Sequence, residues 1–212
     1  MAGAVIIGAG PGIGRSVAHR FAKEGLPITL LARRQATLEP LAAELGTALP
    51  LTADVTDETS LKAALDTAAR EHGAPDVVVY NAAIIQADTP GELSVERHLA
   101  AWSVNVVGAI TTAAHVAPGM AERGSGTIIV TGGMPDAVPA YTSLSLGKAG
   151  VRALVSLLDK EFGPSGVHVA TVTVAGPVAK GTPFDPDDIA EHYWRLHTQA
   201  RGDWEQEIVH TG

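Results

Sequence analysis

The chain has 212 residues, of which 46% are hydrophobic and 18% charged, with a formal net charge of −8 and no cysteine. That length and apolar content fit one large α/β domain with a substantial core and exclude a disordered chain. The acidic balance argues against a nucleic-acid partner, and the lack of cysteine excludes disulfides, thiol catalysis and thiolate metal sites. No uninterrupted apolar run reaches the ~18–20 residues that span a bilayer. The opening Met1-Ala2-Gly3-Ala4-Val5 lacks the charged lead of a signal peptide, so a cytoplasmic protein without a membrane partner is expected.

Taken in chain order, strands are predicted at Ala4–Gly8, Pro27–Ala32, Ala48–Asp54, Asp76–Asn81, Thr127–Thr131 and Val167–Val174. These runs are β-branched and almost continuously apolar, as in strands covered on both faces. Helical spacing lies between them: Leu38, Leu41 and Leu45 recur at i, i+3 and i+7, and Leu61 and Leu65 stand four apart. Thr56 reads as an N-cap, with Asp57 and Glu58 in the first turn. Strands alternating with helices imply a doubly wound parallel sheet of six or seven strands with helices on both faces, a Rossmann fold. Residues 1–182 are read as this domain. Residues 183–212 are read as a C-terminal helix and tail packed on the same domain or on a partner subunit.

The segment Gly8-Ala9-Gly10-Pro11-Gly12-Ile13-Gly14 follows the first strand and opens a helix. Glycines there permit a tight turn, bring backbone N–H groups close to a pyrophosphate, and let helix and sheet approach. The helix N-terminus adds donors and positive dipole for an anion. Dinucleotide folds choose their cofactor ~20 residues further on. Here Arg33 and Arg34 follow Leu30-Leu31-Ala32, with no carboxylate for ribose hydroxyls. A guanidinium suits a 2′-phosphate, so NADP is expected ahead of NAD.

These residues resemble the short-chain dehydrogenase/reductase family over roughly residues 1–180. Its G-x-x-x-G-x-G pattern is carried by Gly8, Gly12 and Gly14. The resemblance implies that Asp54-Val55 hold the adenine and that Asn81-Ala82-Ala83 stand for the family's N-A-G after the fourth strand. It also implies that Asn105, in Val104-Asn105-Val106-Val107-Gly108, is the structural and proton-relay asparagine. Pro177, Val178 and Thr182 are similar to the family's nicotinamide-side segment, with Pro and Gly reversed and two residues inserted. An oxidoreductase acting on a small carbonyl or alcohol is implied, as a homodimer or homotetramer.

At the catalytic end the chain departs from the family. Lys148 takes the place of the lysine in Y-x-x-x-K, but Leu144 stands where the tyrosine belongs and Gly133 where the serine belongs. Hydride transfer to a carbonyl leaves charge on oxygen, which a positioned phenol normally neutralises. Tyr141 lies seven residues before Lys148 rather than four, which on a helix is nearly the same face but ~4.5 Å further along. Pro139 just upstream favours a loop or a helix start. Tyr141 is therefore read either as a replacement acid, with Ser143, Ser145 or Thr131 as the second hydroxyl, or as a packing residue. The catalytic set is then Asn105, Lys148 and Tyr141; without the acid, the chain is an inactive NADP-binding module.

After Pro183 the family's substrate lid and last strand are not recognisable. Asp187–Leu196 reads as a capped helix with Ile189, Tyr193 and Leu196 on one stripe, followed by Trp204, Ile208 and Val209 in the tail. The histidines are scattered without carboxylates at ligand spacing, so no metal site is read.

Overall fold

The predicted strands form where the apolar runs place them: the first four are trimmed by one to three residues, the fifth starts one residue earlier and the sixth keeps its bounds. In this computed structural model, which describes residues 3–212, they are β1 (Ala4–Ile7), β2 (Ile28–Ala32), β3 (Leu49–Thr52), β4 (Val77–Tyr80), β5 (Gly126–Thr131) and β6 (Val167–Val174). The opening Met1 and Ala2 of the sequence reading lie outside the described residues. The helices are α1 (Ile13–Lys23), α2 (Gln35–Leu45), α3 (Glu58–His72), α4 (Val95–Trp102), α5 (Gly108–Arg123), α6 (Thr142–Phe162) and α7 (Pro186–Thr198).

A seventh strand, β7 (Glu207–His210), pairs parallel to β6 with Val172 opposite Ile208. It is the last strand that is not recognisable in the sequence after Pro183, and it completes seven of the six or seven strands expected. The sheet is parallel throughout, in the order β3-β2-β1-β4-β5-β6-β7. Its order reverses between β1 and β4, and crevices for ligands open beyond the strand C-termini at such a point.

Period-2 alternation divides each strand's side chains between two cores. Val5 and Ile7 pack with Leu61 and Leu65 of α3 and with Val151 and Leu154 of α6. Ala4 and Ile6 pack with Val17 and Phe21 of α1, Leu38 and Leu41 of α2, and Ile189, Tyr193 and Leu196 of α7. The predicted stripe of α7 is wholly buried, each residue at 0% exposure. The C-terminal segment therefore packs on the body of its own chain. Arg20 of α1 lies over the Trp194 ring of α7 and pairs with Glu191 at 2.7 Å. The buried His168 ring lies between the carbonyls of Leu196 and Glu205 and stacks on Trp204.

One local reading changes. The cap of α3 is Asp57, whose side chain accepts from the Ser60 amide at 3.0 Å, because the helix begins one residue later than expected. Thr56 instead donates its amide and hydroxyl to Asp54, at 2.9 and 2.7 Å. Helix α4 also continues through a π-helical turn, Ser103–Val107, into α5. This gives one helical run, 95–123, long and apolar enough by length and composition to cross a membrane, and 44% of its apolar window is buried in the fold. The π turn carries Asn105, and such turns recur at functional sites.

Candidate functional site

The glycine loop joins β1 to α1 against the end of β4. Gly8 has φ +83, and a Cβ there would lie 2.5 Å from the Ala82 amide nitrogen. A Cβ at Gly14 would land on the Gly8 carbonyl oxygen, inside contact distance. Gly10 and Gly12 differ: nothing lies within 4 Å of where a Cβ would stand. Two glycines thus make the turn, and two leave space above the backbone. Pro11 sits exposed between them, and Ile13 begins α1.

Asn81 fixes this loop by donating Nδ2–H to the Gly8 carbonyl at 2.9 Å. Its Oδ1 accepts from the Thr131 hydroxyl at 2.9 Å. Thr131 in turn lies 2.6 Å from the hydroxyl of Tyr193, reaching in from α7. Thr131 has a single O–H, already given to Asn81, so Tyr193 is the donor of that last bond. Burial pushes the Tyr193 phenol above its ordinary value, keeping it protonated for that role. The sequence assigned Tyr193 only a packing stripe. A fully buried phenol needing a partner is the one signal that could have found it.

Two cavities adjoin at Gly10, Asn81 and Ala83. The smaller, ≈ 240 Å³, is lined by Arg33, Arg34, Thr37, Ala53, Val55 and Ala82 among others, with no carboxylate in its wall. Asp54, expected at the adenine with Val55, is not in its wall, and hydrogen bonds from Thr56 hold its carboxyl below the usual carboxylate range. The larger cavity, ≈ 690 Å³, runs from Gly10, Gly12, Ile13 and Gly14 past Thr131 and Lys148 to Pro177 and Val178. Thr182 is not in its wall: the hydroxyl donates to Ala179 O at 2.7 Å and accepts from the Phe184 amide, closing its own turn. The open glycine backbone, the arginine-lined recess and the helix N-terminus between them fit a phosphorylated dinucleotide.

Lys148 and Tyr141 both face the larger cavity, as does Leu144. Lys148 is buried and donates Nζ–H to the Thr131 carbonyl at 2.6 Å. Burial lowers its pKa to about 8. Tyr141 is the residue just before α6, with φ −139, so it is not on the helix and the seven-residue helical offset does not apply. Asn105 spends its side chain on one residue: Oδ1 accepts from the Ile84 amide at 2.7 Å and Nδ2 donates to the Ile84 carbonyl at 3.2 Å.

The expected second hydroxyl is not free at any of its three candidates. Thr131 is engaged as above, Ser143 donates to Asp88 at 2.8 Å, and Ser145 is bonded to the Val138 backbone. Gly133 has φ +152, and a Cβ there would sit 3.6 Å from Lys148 Cε, in ordinary contact. The neighbouring Met134 has φ 46, uncommon for a side chain of its size. The Arg152 guanidinium holds this turn by donating to Gly133 O and Met134 O, each at 3.1 Å. A strained turn beside a buried lysine is characteristic of functional sites.

Residues 2–186 match the family model described as short chain dehydrogenase. Over 178 residues the chain is 36% identical to the probable oxidoreductase EphD of Mycobacterium tuberculosis; the match covers 79% of this chain and 29% of that protein, so the chain spans under a third of that relative's length. It is 32% identical over 202 residues to the oxidoreductase UcpA of Salmonella typhimurium, covering 88% of this chain and 76% of the relative. Among solved structures it is similar to an alcohol dehydrogenase from Thermococcus sibiricus complexed with 5-hydroxy-NADP, with TM-score 0.89 and 27% identity, covering 99% of this chain and 95% of that one.

Proposed function

The chain belongs to the short-chain dehydrogenase family, and on that footing we propose that it is an NADP-dependent oxidoreductase interconverting a small carbonyl and its alcohol, with Tyr141 as the proton donor. One observation carries the reading: Tyr141 and Lys148 line the same cavity as the glycine loop and Pro177-Val178. The nicotinamide, when bound, supplies the hydride that the carbonyl carbon receives.

The chain's own residues handle charge and proton. As the carbonyl oxygen turns into an alkoxide, the Tyr141 hydroxyl transfers its proton to it. Lys148 places its buried Nζ in the wall of the same cavity, held by the Thr131 carbonyl. Asn105, fixed on Ile84, holds the π turn against α6, where Gly147 leaves room for its side chain. Arg33 and Arg34, in a recess without carboxylates, select a 2′-phosphate and so NADP over NAD.

A homodimer or homotetramer is proposed on the exposed apolar side chains of α4, α5 and α6: Leu99, Trp102, Ile110, Leu146 and Leu157. Light scattering after gel filtration checks it.

Tyr141→Phe tests the acid. With a carbonyl substrate found by screening NADPH oxidation, kcat falls by roughly 10²–10⁴ while NADPH affinity holds. A variant at full rate refutes Tyr141 as the donor. Leu144 and Gly133 support one other reading, an NADP-binding module without turnover, which a broad substrate panel giving no oxidation would favour.

A further inference from the structure

We propose that Asp88 is a positioning residue that locks Tyr141 into the wall of the larger cavity; the inference rests on reading Tyr141 as the proton donor. A tyrosine inside α6 would be fixed by the helix's own hydrogen bonds. Tyr141 precedes the helix; its amide donates to Val138 O at 2.9 Å and its carbonyl accepts from the Ser145 amide at 2.8 Å, but its side chain makes no capping bond. The first turn of α6 also leaves backbone amides without intrahelical partners. A partner outside the helix has to satisfy those amides and hold the residues on either side of the tyrosine.

Asp88 does so from 53 residues away in sequence. It is 2% exposed and forms an isolated parallel bridge with Tyr141. Its amide donates to Ala140 O at 2.9 Å, and its carbonyl accepts from the Thr142 amide at 3.0 Å. Its side-chain Oδ2 accepts from the Ser143 amide at 3.0 Å, and Oδ1 from the Ser143 hydroxyl at 2.8 Å. Four bonds therefore grip residues 140, 142 and 143, on both sides of the tyrosine.

The arm that carries Asp88 is itself anchored. Ile84, at its other end, is held through both amide and carbonyl by Asn105. Gln86 midway accepts from Arg97 at 3.2 Å. The segment 84–88 thus ties the side chain of Asn105 to the backbone around Tyr141, so the two proposed catalytic residues share one strut. A reacting group misplaced by about 1 Å can cost ~10²-fold in rate, which is the scale on which such a strut acts.

The chain has only three tyrosines, and Tyr80 and Tyr193 are buried core residues that serve as internal controls. Protein labelled with 3-fluorotyrosine gives three fluorine resonances, with Tyr141 assigned through Tyr141→Phe. In Asp88→Ala the Tyr141 resonance is expected to move toward that of free 3-fluorotyrosine, with a larger solvent isotope shift, while the other two stay in place. In Asp88→Asn, which keeps the backbone bonds and one acceptor oxygen, the shift is expected to be partial. With an accepted substrate, kcat should fall ~10-fold or more in Asp88→Ala while KM for NADPH holds. A Tyr141 resonance unchanged in Asp88→Ala, with the controls in place, overturns the proposal. If all three resonances collapse in Asp88→Ala, the same comparison in Asp88→Asn decides, and an unchanged Tyr141 there overturns it equally. Titrating wild-type protein with NADPH separates the underlying reading: a Tyr141 resonance that ignores NADPH rejects Tyr141 as the acid, whatever Asp88 does.

Discussion

Replacing Thr131 by valine probes the buried chain that runs from the C-terminal helix to the glycine loop. Tyr193 donates to Thr131, Thr131 donates to Asn81, and Asn81 donates to the Gly8 carbonyl. Tyr193→Phe removes one donor and leaves Thr131 still bonded to Asn81, a net loss of about 1 kcal/mol. Thr131→Val is worse, because it strands the Tyr193 hydroxyl at a position with 0% exposure, which costs roughly 1–3 kcal/mol. The Asn81 acceptor also loses its partner, but it faces the cavity, where water can serve it, so it adds only about 1 kcal/mol. The expected cost is therefore roughly 2–4 kcal/mol for Thr131→Val. For a chain of this size each kcal/mol lowers Tm by about 2–4 °C. The double variant removes donor and acceptor together and should be more stable than Thr131→Val alone. Thermal melts of the four proteins read this cycle. Equal losses for the two single variants, or a double variant equal to their sum, would refute the assignment of donors.

The pKa of Lys148, lowered to about 8 by burial, makes stability depend on alkaline pH. Between about pH 8 and the unfolded lysine value near 10.4 the unfolded chain binds the extra proton, so this group raises stability with pH by up to a few kcal/mol. Urea midpoints from pH 7.5 to 10 should rise more in wild type than in Lys148→Met, and parallel profiles would count against the depressed value. Gly10→Ala meets nothing within 4 Å and should keep its Tm while losing NADP affinity, because the methyl enters the space above the loop. Gly14→Ala collides with the Gly8 backbone and should lose both; calorimetric titration with melting curves tells the two apart. Removing the guanidinium at Arg33 or Arg34 by glutamine should weaken NADP ~10-fold or more and leave NAD nearly unchanged, since only the former has a 2′-phosphate to lose. Equal losses for both nucleotides would point to adenine stacking instead.

Much of the fold was legible because the strands are buried on both faces. Six runs such as Ala4–Ile7 and Val77–Tyr80 carry near-continuous apolar character that few other structures need. Strand β7 escaped because it is a short edge strand of four residues, where Ile208 alone is buried and Val209 points outward. The cap at Asp57 was misread as Thr56 because both residue types cap helices, and only the starting register separates them. In the site, the glycine loop, Arg33 and Lys148 announced themselves through local spacing. Asp88 and Tyr193 did not, since their partners lie 55 and 62 residues away and hydrogen bonds at that separation leave no periodic trace. Tyr141 fell between the two cases: its distance from Lys148 was visible, but whether it lay on the helix depended on where α6 starts.

The central claim is that Tyr141 has taken over the proton-donor task from the position now held by Leu144. A crystal structure of the NADP complex tests it most directly, through the distance from the Tyr141 hydroxyl to nicotinamide C4. A hydroxyl within ~4–5 Å of C4 is the expected result, since a substrate oxygen bonded to that carbon can then reach it by an ordinary ~2.7 Å hydrogen bond. A Tyr141 turned away from the ring, with no other acid beside it, would contradict the claim and leave a nucleotide-binding protein without its catalyst.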